Sequence, residues 1–98
     1  MKYMKDKHVK IVDALPRKYY QEKHIKSAYN IPHNQKIVPS KVRKMLGSNK
    51  SVPIIVYCYS AKCNAAKKVC KKLEQLGYHN LLHYVDGISK WRGRVEKI

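Results

Sequence analysis

The sequence has little acidic charge and no long apolar run. Only six of its 98 residues are Asp or Glu, against 22 Lys and Arg, which gives a formal net charge of +16. No apolar stretch approaches the roughly 18 residues that a membrane span needs. The lysine-rich start at 1–10 also lacks the apolar segment of a signal peptide. We therefore expect a soluble, cytoplasmic protein with no membrane partner, formed by one domain over residues 1–98.

Cysteines are also few, and their spacing matches no common cysteine framework. The three are Cys58, Cys63 and Cys70. An odd number, in a chain without an export signal, favours a reducing compartment over a set of disulfides. The spacing C-x4-C-x6-C lacks the paired C-x2-C of zinc knuckles, so we expect no metal site. Cys70 falls on the apolar stripe of a predicted helix and is expected in the core.

The positive charge is spread along the chain. Four lysines share one face of a predicted helix: Lys67, Lys68, Lys71 and Lys72. A charge of this size attracts small anions, acidic proteins and nucleic acid. No helix-turn-helix, zinc-finger or aromatic RNA-binding pattern accompanies it. We interpret the lysines as a solvated surface and expect no specific nucleic-acid binding.

The spacing of apolar residues and turn signals predicts alternating strands and helices. Strands are predicted at 8–14, 28–31, 52–57 and 81–85. Helices are predicted at 17–23, 39–46, 64–76 and 89–97, with glycine stops after the second and third. Strands separated by helices favour an α/β fold with a parallel sheet.

One cysteine lies between a predicted strand and a predicted helix. The apolar run 52–57 leads directly to Cys58, and a short polar loop separates Cys58 from an alanine-led amphipathic helix. Free N–H groups of the loop and of the first helical turn favour a thiolate there. The pattern predicts a nucleophilic Cys58 with a pKa below the ordinary value of about 8.5. A buried, unreactive cysteine at the end of a core strand is the alternative.

Three segments carry a resemblance to a known family. They are IVDALPRKYYQEKHIKSAYNIP (11–32), IVYCYSAKCNAA (55–66) and LEQLGYHNLLHYVDGISKW (73–91). Together, in this order and near this spacing, they resemble the rhodanese family of sulfurtransferases. The resemblance implies a three-layer α/β fold, in which helices flank both faces of a mostly parallel central sheet.

The resemblance also implies that Cys58 is the catalytic residue of a sulfurtransferase. Its thiolate takes the outer sulfur of a small anionic donor such as thiosulfate, and the resulting persulfide passes that sulfur to a thiol or to cyanide. The acceptor thiol belongs to a small molecule or to a thioredoxin-like protein, and no cofactor is implied. Loop N–H groups stabilise the anions. The substrate-binding loop consists of Tyr59, Ser60, Ala61, Lys62 and Cys63.

The loop departs from the family pattern at two positions. Ala61 stands where glycine is common, and Cys63 stands where Arg or Thr is common. Because a loop whose N–H groups converge directs its side chains outward, we expect Cys63 to be structural; the alternative is a resolving thiol for Cys58. Asn64 occupies the position at which phosphatases of the same fold carry arginine, so a phosphate-sized substrate is not expected. A non-catalytic sulfur-carrier or binding module and an electrostatic nucleic-acid binder are alternative functions.

Overall fold

Strands and short helices alternate along the chain in the computed structural model, which describes residues 9–98. In chain order the elements are β1 (Lys10–Asp13), α1 (Arg17–Glu22), β2 (His24–Ile25), β3 (Tyr29–Asn30), α2 (Pro39–Leu46), β4 (Ile54–Tyr57), α3 (Ala65–Gln75), β5 (Leu81–Tyr84), a 3-10 helix (Ile88–Lys90) and β6 (Val95–Glu96). Over the part of the chain that the structure describes, no helix is long and apolar enough to cross a membrane.

The main sheet has four parallel strands in the order β3-β1-β4-β5. β4 lies inside this sheet, and all four of its residues are buried. It pairs with β1 from Ile54 opposite Lys10 to Tyr57 opposite Asp13. Parallel strands end at the same edge of a sheet, and ligands bind at that edge in open α/β folds. The residue after β4 therefore emerges in the middle of the edge where a functional site is expected.

Side chains of the sheet alternate between two apolar cores, one on each face. Val56 packs in the core formed with residues of α2 and α3, among them Val42 and Val69. The neighbouring Tyr57 lies in the other core, which contains Ile25 of β2 and the partly buried Tyr20 of α1. Helices thus cover both faces of a mostly parallel sheet, and the predicted α/β fold class is confirmed.

The helix predicted at 89–97 does not form. The 3-10 helix ends after three residues, and β6 instead pairs antiparallel with β2. The indole N–H of Trp91 donates to the carbonyl oxygen of Arg94 at 3.1 Å, which turns the chain back. A Cβ at Gly93 would fall 2.3 Å from the Trp91 ring, so a larger residue there would have to displace the indole. The other predicted elements form, with ends that differ by up to two residues; position 8 of the first predicted strand lies outside the described residues.

A buried carboxyl group links the two sheets. The Tyr57 hydroxyl donates to Asp13 at 2.7 Å and accepts the N–H of Ile25 at 2.9 Å. Leu15 N–H donates to the other Asp13 oxygen at 2.8 Å. Burial raises the pKa of Asp13 from 3.8 to about 6, although the hydrogen bonds from Tyr57 and Leu15 oppose the shift.

The raised pKa makes stability depend on pH. Between about pH 4 and pH 6 the folded protein retains a proton on Asp13 that the unfolded chain releases. The contribution of Asp13 to the free energy of unfolding is therefore present at low pH and is lost as the pH rises through about 6. Between about pH 4 and pH 7, the free energy of unfolding measured in urea should fall by about 2 kcal/mol more for wild type than for Asp13→Asn. Asp86→Asn, which removes an exposed carboxyl group, is the control and should follow wild type; identical pH profiles for wild type and Asp13→Asn would contradict the prediction.

Candidate active site

Cys58 follows directly on the last residue of β4, and its side chain is 0% exposed. A bend and a turn follow at 59–62, and α3 begins at Ala65. Ala65 and Ala66 are both buried, which holds the first turn of α3 against the same core that contains Cys58. The predicted strand, cysteine, loop and helix are thus present in this order.

The backbone of the segment after β5 contacts the start of the loop that follows Cys58. No pattern in the sequence predicts this contact. Ile88 N–H donates to the carbonyl oxygen of Cys58 at 3.0 Å, and Ser89 N–H donates to that of Tyr59 at 2.9 Å. Gly87 approaches the loop at a φ of +67°. A Cβ at this position would fall 2.5 Å from the carbonyl carbon of Tyr59 and 2.6 Å from the carbonyl oxygen of Cys58. Only glycine permits both the backbone angle and the approach.

The Cys58 thiol faces carbonyl oxygens as well as loop N–H groups. It donates to the carbonyl oxygen of Cys63 at 3.3 Å and lies 3.7 Å from that of Ser60. Burial raises the pKa of Cys58, interaction with the Cys63 thiol raises it further, and the N–H groups of Ala66 and Tyr59 lower it only in part. The prediction of a pKa below the ordinary value is therefore wrong for this conformation, because burial outweighs the loop amides.

Cys63 lies beside Cys58 instead of pointing away from it. Its half-buried side chain packs against the core that contains Cys58, and its N–H donates to the carbonyl oxygen of Ser60 at 3.0 Å. Burial raises the pKa of Cys63, but the Cys58 thiol, two backbone N–H groups and the charge of Lys68 together bring it below the ordinary value. The expectation that this side chain points outward is wrong, and of the two thiols Cys63 is the more acidic.

Most of the other predicted loop residues direct their side chains to solvent. Tyr59, Ala61 and Lys62 are exposed, and Ser60 is half-buried. Within residues 9–98, the Lys62 side chain forms no hydrogen bond or ion pair. Ala61 does not adopt a positive φ, since Ser27 is the single non-glycine residue with one in the described chain. Alanine therefore fits at the position where glycine is common.

An apolar cavity of about 420 Å³ opens beside the loop. Its lining residues are Leu15, Tyr19, Glu22, Lys23, Tyr59 and Ile88. Tyr59, which directly follows Cys58 in the chain, lines this cavity, whereas Cys58 itself does not. No sequence pattern predicted it, since its walls come from α1, the loop and the 3-10 helix.

Cys70 is separated from this site. It is half-buried on α3, packs against the core as predicted and lines a different cavity, near His79 and His83. Burial, assisted by the charge of Glu74, raises the pKa of Cys70 to about 11. An un-ionised thiol of this kind is a poor nucleophile at neutral pH.

Similar proteins share this fold. A family model described as Rhodanese-like domain matches residues 1–94. The crystal structure of the BH2092 protein from Bacillus halodurans is 34% identical over 94% of this chain, with a TM-score of 0.79, and this chain spans 66% of that one. No protein among those with curated descriptions matches.

Two further solved structures are similar in fold at lower identity. A rhodanese with anions from E. coli is 20% identical, with a TM-score of 0.71; the match covers 91% of this chain and 98% of that chain. The single-domain sulfurtransferase RDL2 from Saccharomyces cerevisiae is 21% identical, with a TM-score of 0.70; the match covers 89% of this chain and 76% of that chain. The family match and the shared architecture lead to one conclusion: this chain belongs to the rhodanese-like domain family.

Proposed function

We propose that this protein is a sulfurtransferase that carries sulfane sulfur as a persulfide on Cys58. The observation that supports the proposal most is the position of Cys58 between the buried central strand and α3, with the N–H groups of Tyr59 and Ala66 directed at its sulfur. These donors favour an anion on the sulfur, whether thiolate or persulfide. Membership in the rhodanese-like family agrees with this chemistry.

The first step loads the enzyme. The Cys58 thiolate attacks the outer sulfur of a donor such as thiosulfate, the S–S bond of the donor breaks, and sulfite leaves with the electron pair. Because burial raises the pKa of Cys58, the reactive thiolate is a minor species at neutral pH, and loading accelerates as the pH rises. The net charge of +16 raises the local concentration of an anionic donor.

The second step transfers the sulfur out. An acceptor thiolate attacks the outer sulfur of the persulfide, which returns Cys58 to its thiolate form. Cys58 is fully buried, so the loop must open for the acceptor to reach the persulfide, and the cavity lined by Tyr59 is where we expect the acceptor to bind. The acceptor is a small thiol or a thioredoxin-like protein, and cyanide serves as a laboratory acceptor. The residues from Tyr59 to Lys62 bind the anions through backbone N–H groups, whereas the N–H of Cys63 is already bonded to the Ser60 carbonyl oxygen.

Sulfite release and protein mass test the proposal. In a Cys63→Ser protein, where no second loop thiol reacts, thiosulfate is expected to release one sulfite per chain and to add one sulfur atom to Cys58. Peptide mapping after removal of thiosulfate identifies the modified residue. A chain that folds normally but gains no sulfur and releases no sulfite would be a non-catalytic module.

A further inference from the structure

We infer that Cys63 is a second nucleophile, which attacks the Cys58 persulfide, forms a Cys58–Cys63 disulfide and releases the sulfur as hydrosulfide. The inference rests on the proposed persulfide at Cys58. It adds an activity: the protein reduces sulfane sulfur to sulfide without an external sulfur acceptor.

The geometry of the loop brings the two cysteines together. Cys58 Sγ lies 3.3 Å from the carbonyl oxygen of Cys63. A carbonyl oxygen lies about 2.4 Å from its own Cα, so Cys58 Sγ is within about 6 Å of the Cys63 Cα. The turn closed by Cys63 N–H and the Ser60 carbonyl oxygen directs the chain back toward Cys58. The half-buried Cys63 side chain packs against the core that contains Cys58, which places it within reach of a sulfur atom on Cys58. The opposite pKa shifts of the two thiols agree with this proximity.

Burial and charge favour Cys63 over an external thiol. Cys58 is 0% exposed, so an external acceptor must enter the loop, whereas Cys63 already packs beside it. Holding two reactants together replaces a bimolecular encounter by a unimolecular step. Loop N–H groups and the charge of Lys68 favour the anionic form of Cys63, which is the attacking species in thiol exchange.

The reaction balances without an added oxidant. Once the outer sulfur of the persulfide has taken a proton from water, Cys63 thiolate attacks the inner sulfur, the bond between inner and outer sulfur breaks, and hydrosulfide leaves with that proton and the electron pair. The sulfane sulfur is reduced, and the two cysteines are oxidised. An external dithiol then reduces the disulfide and restores both thiols. Over a full cycle, thiosulfate and the dithiol become sulfite, hydrosulfide and the oxidised form of the dithiol.

A single-turnover experiment tests the inference. Reduced, thiol-free wild type, Cys63→Ser and Cys70→Ser proteins are mixed with thiosulfate in the absence of oxygen, and sulfite, sulfide and protein mass are measured. Wild type and Cys70→Ser are expected to release one hydrosulfide per chain and to become two hydrogen atoms lighter. Cys63→Ser should release sulfite but no hydrosulfide, and should retain one sulfur on Cys58.

Tryptic peptide mapping identifies the two cysteines that form the disulfide. Trypsin cleaves after Lys62, so the disulfide joins two peptides that otherwise separate. A wild-type sample kept without thiosulfate is the control for adventitious oxidation. A wild type that retains its persulfide as stably as Cys63→Ser, or that carries the sulfur on Cys63, would overturn the inference.

A second loading route separates this inference from the proposed function. If no protein releases sulfite from thiosulfate, the proposed function has failed. Sodium polysulfide, which persulfidates thiols without enzymatic help, then supplies the persulfide directly. After polysulfide is removed, a Cys58–Cys63 disulfide in wild type, together with a persulfide in Cys63→Ser, would support the role of Cys63. A stable persulfide on Cys58 of wild type would again overturn the inference.

Discussion

Cys58→Ser is expected to lower thiosulfate-dependent sulfur transfer by at least about three orders of magnitude, because serine provides no thiolate to accept the sulfur. Cys70→Ser is the matched control and should keep most of the activity, since Cys70 lies outside the loop. Thiocyanate formation from thiosulfate and cyanide measures the transfer, with both variants made in the Cys63→Ser protein, where the persulfide has no neighbouring thiol to react with.

The Cys58→Ser variant is also expected to fold. A serine hydroxyl at this position can donate to the carbonyl oxygen of Cys63, which now accepts from the Cys58 thiol. Unfolding in urea checks this before activities are compared. Transfer that persists in a folded Cys58→Ser protein would exclude Cys58 as the sulfur carrier.

Gly87→Ala is expected to reduce both the stability and the sulfur loading of the protein. Its Cβ would overlap the backbone of Cys58 and Tyr59, neither of which is a flexible side-chain end. Overpacking of this kind costs about 1–3 kcal/mol, and the positive φ adds about 1 kcal/mol for a residue other than glycine. Relief of the overlap moves the carbonyl groups that Ile88 and Ser89 hold, so we expect single-turnover sulfite release to fall at least about tenfold, a cost of about 1.4 kcal/mol.

Gly47→Ala provides the control for Gly87→Ala. Gly47 also has a positive φ, +86°, but a Cβ there would meet no atom within 4 Å. Only the backbone strain of about 1 kcal/mol is expected, with normal sulfite release. Equal losses of stability in the two variants would show that the approach of Gly87 to the loop does not constrain the protein.

The sequence was sufficient to predict the parts of the fold that depend on short continuous apolar runs. The run ending at Tyr57 forms the buried central strand, and Cys58 follows it as predicted. β2 and β6 were not predicted, because two-residue strands have no periodicity and their partner lies about 70 positions away in the chain. The last predicted helix ends at Lys90, because Trp91 adopts an extended conformation and the chain turns back to pair β6 with β2.

The site was predictable in position but not in its electrostatics. The short loop between Cys58 and the start of the next predicted helix indicated N–H groups near the thiol, and such groups are present. The sequence does not show how deeply the thiol is buried or that carbonyl oxygens also face it, and these determine the direction of the pKa shift. The inward direction of Cys63 depends on a turn that forms only in three dimensions. Catalysis, donor and acceptor stay predictions.

The contacts of Gly87, Ile88 and Ser89 with the loop also determine when the site is assembled during protein synthesis. Cys58 leaves the ribosome about 30 residues before these partners, and β5 must pair with β4 before they reach the loop. Until then, the carbonyl groups of Cys58 and Tyr59 lack their N–H donors. The loop around Cys58 therefore stays incomplete on the nascent chain until Ser89 has left the ribosome.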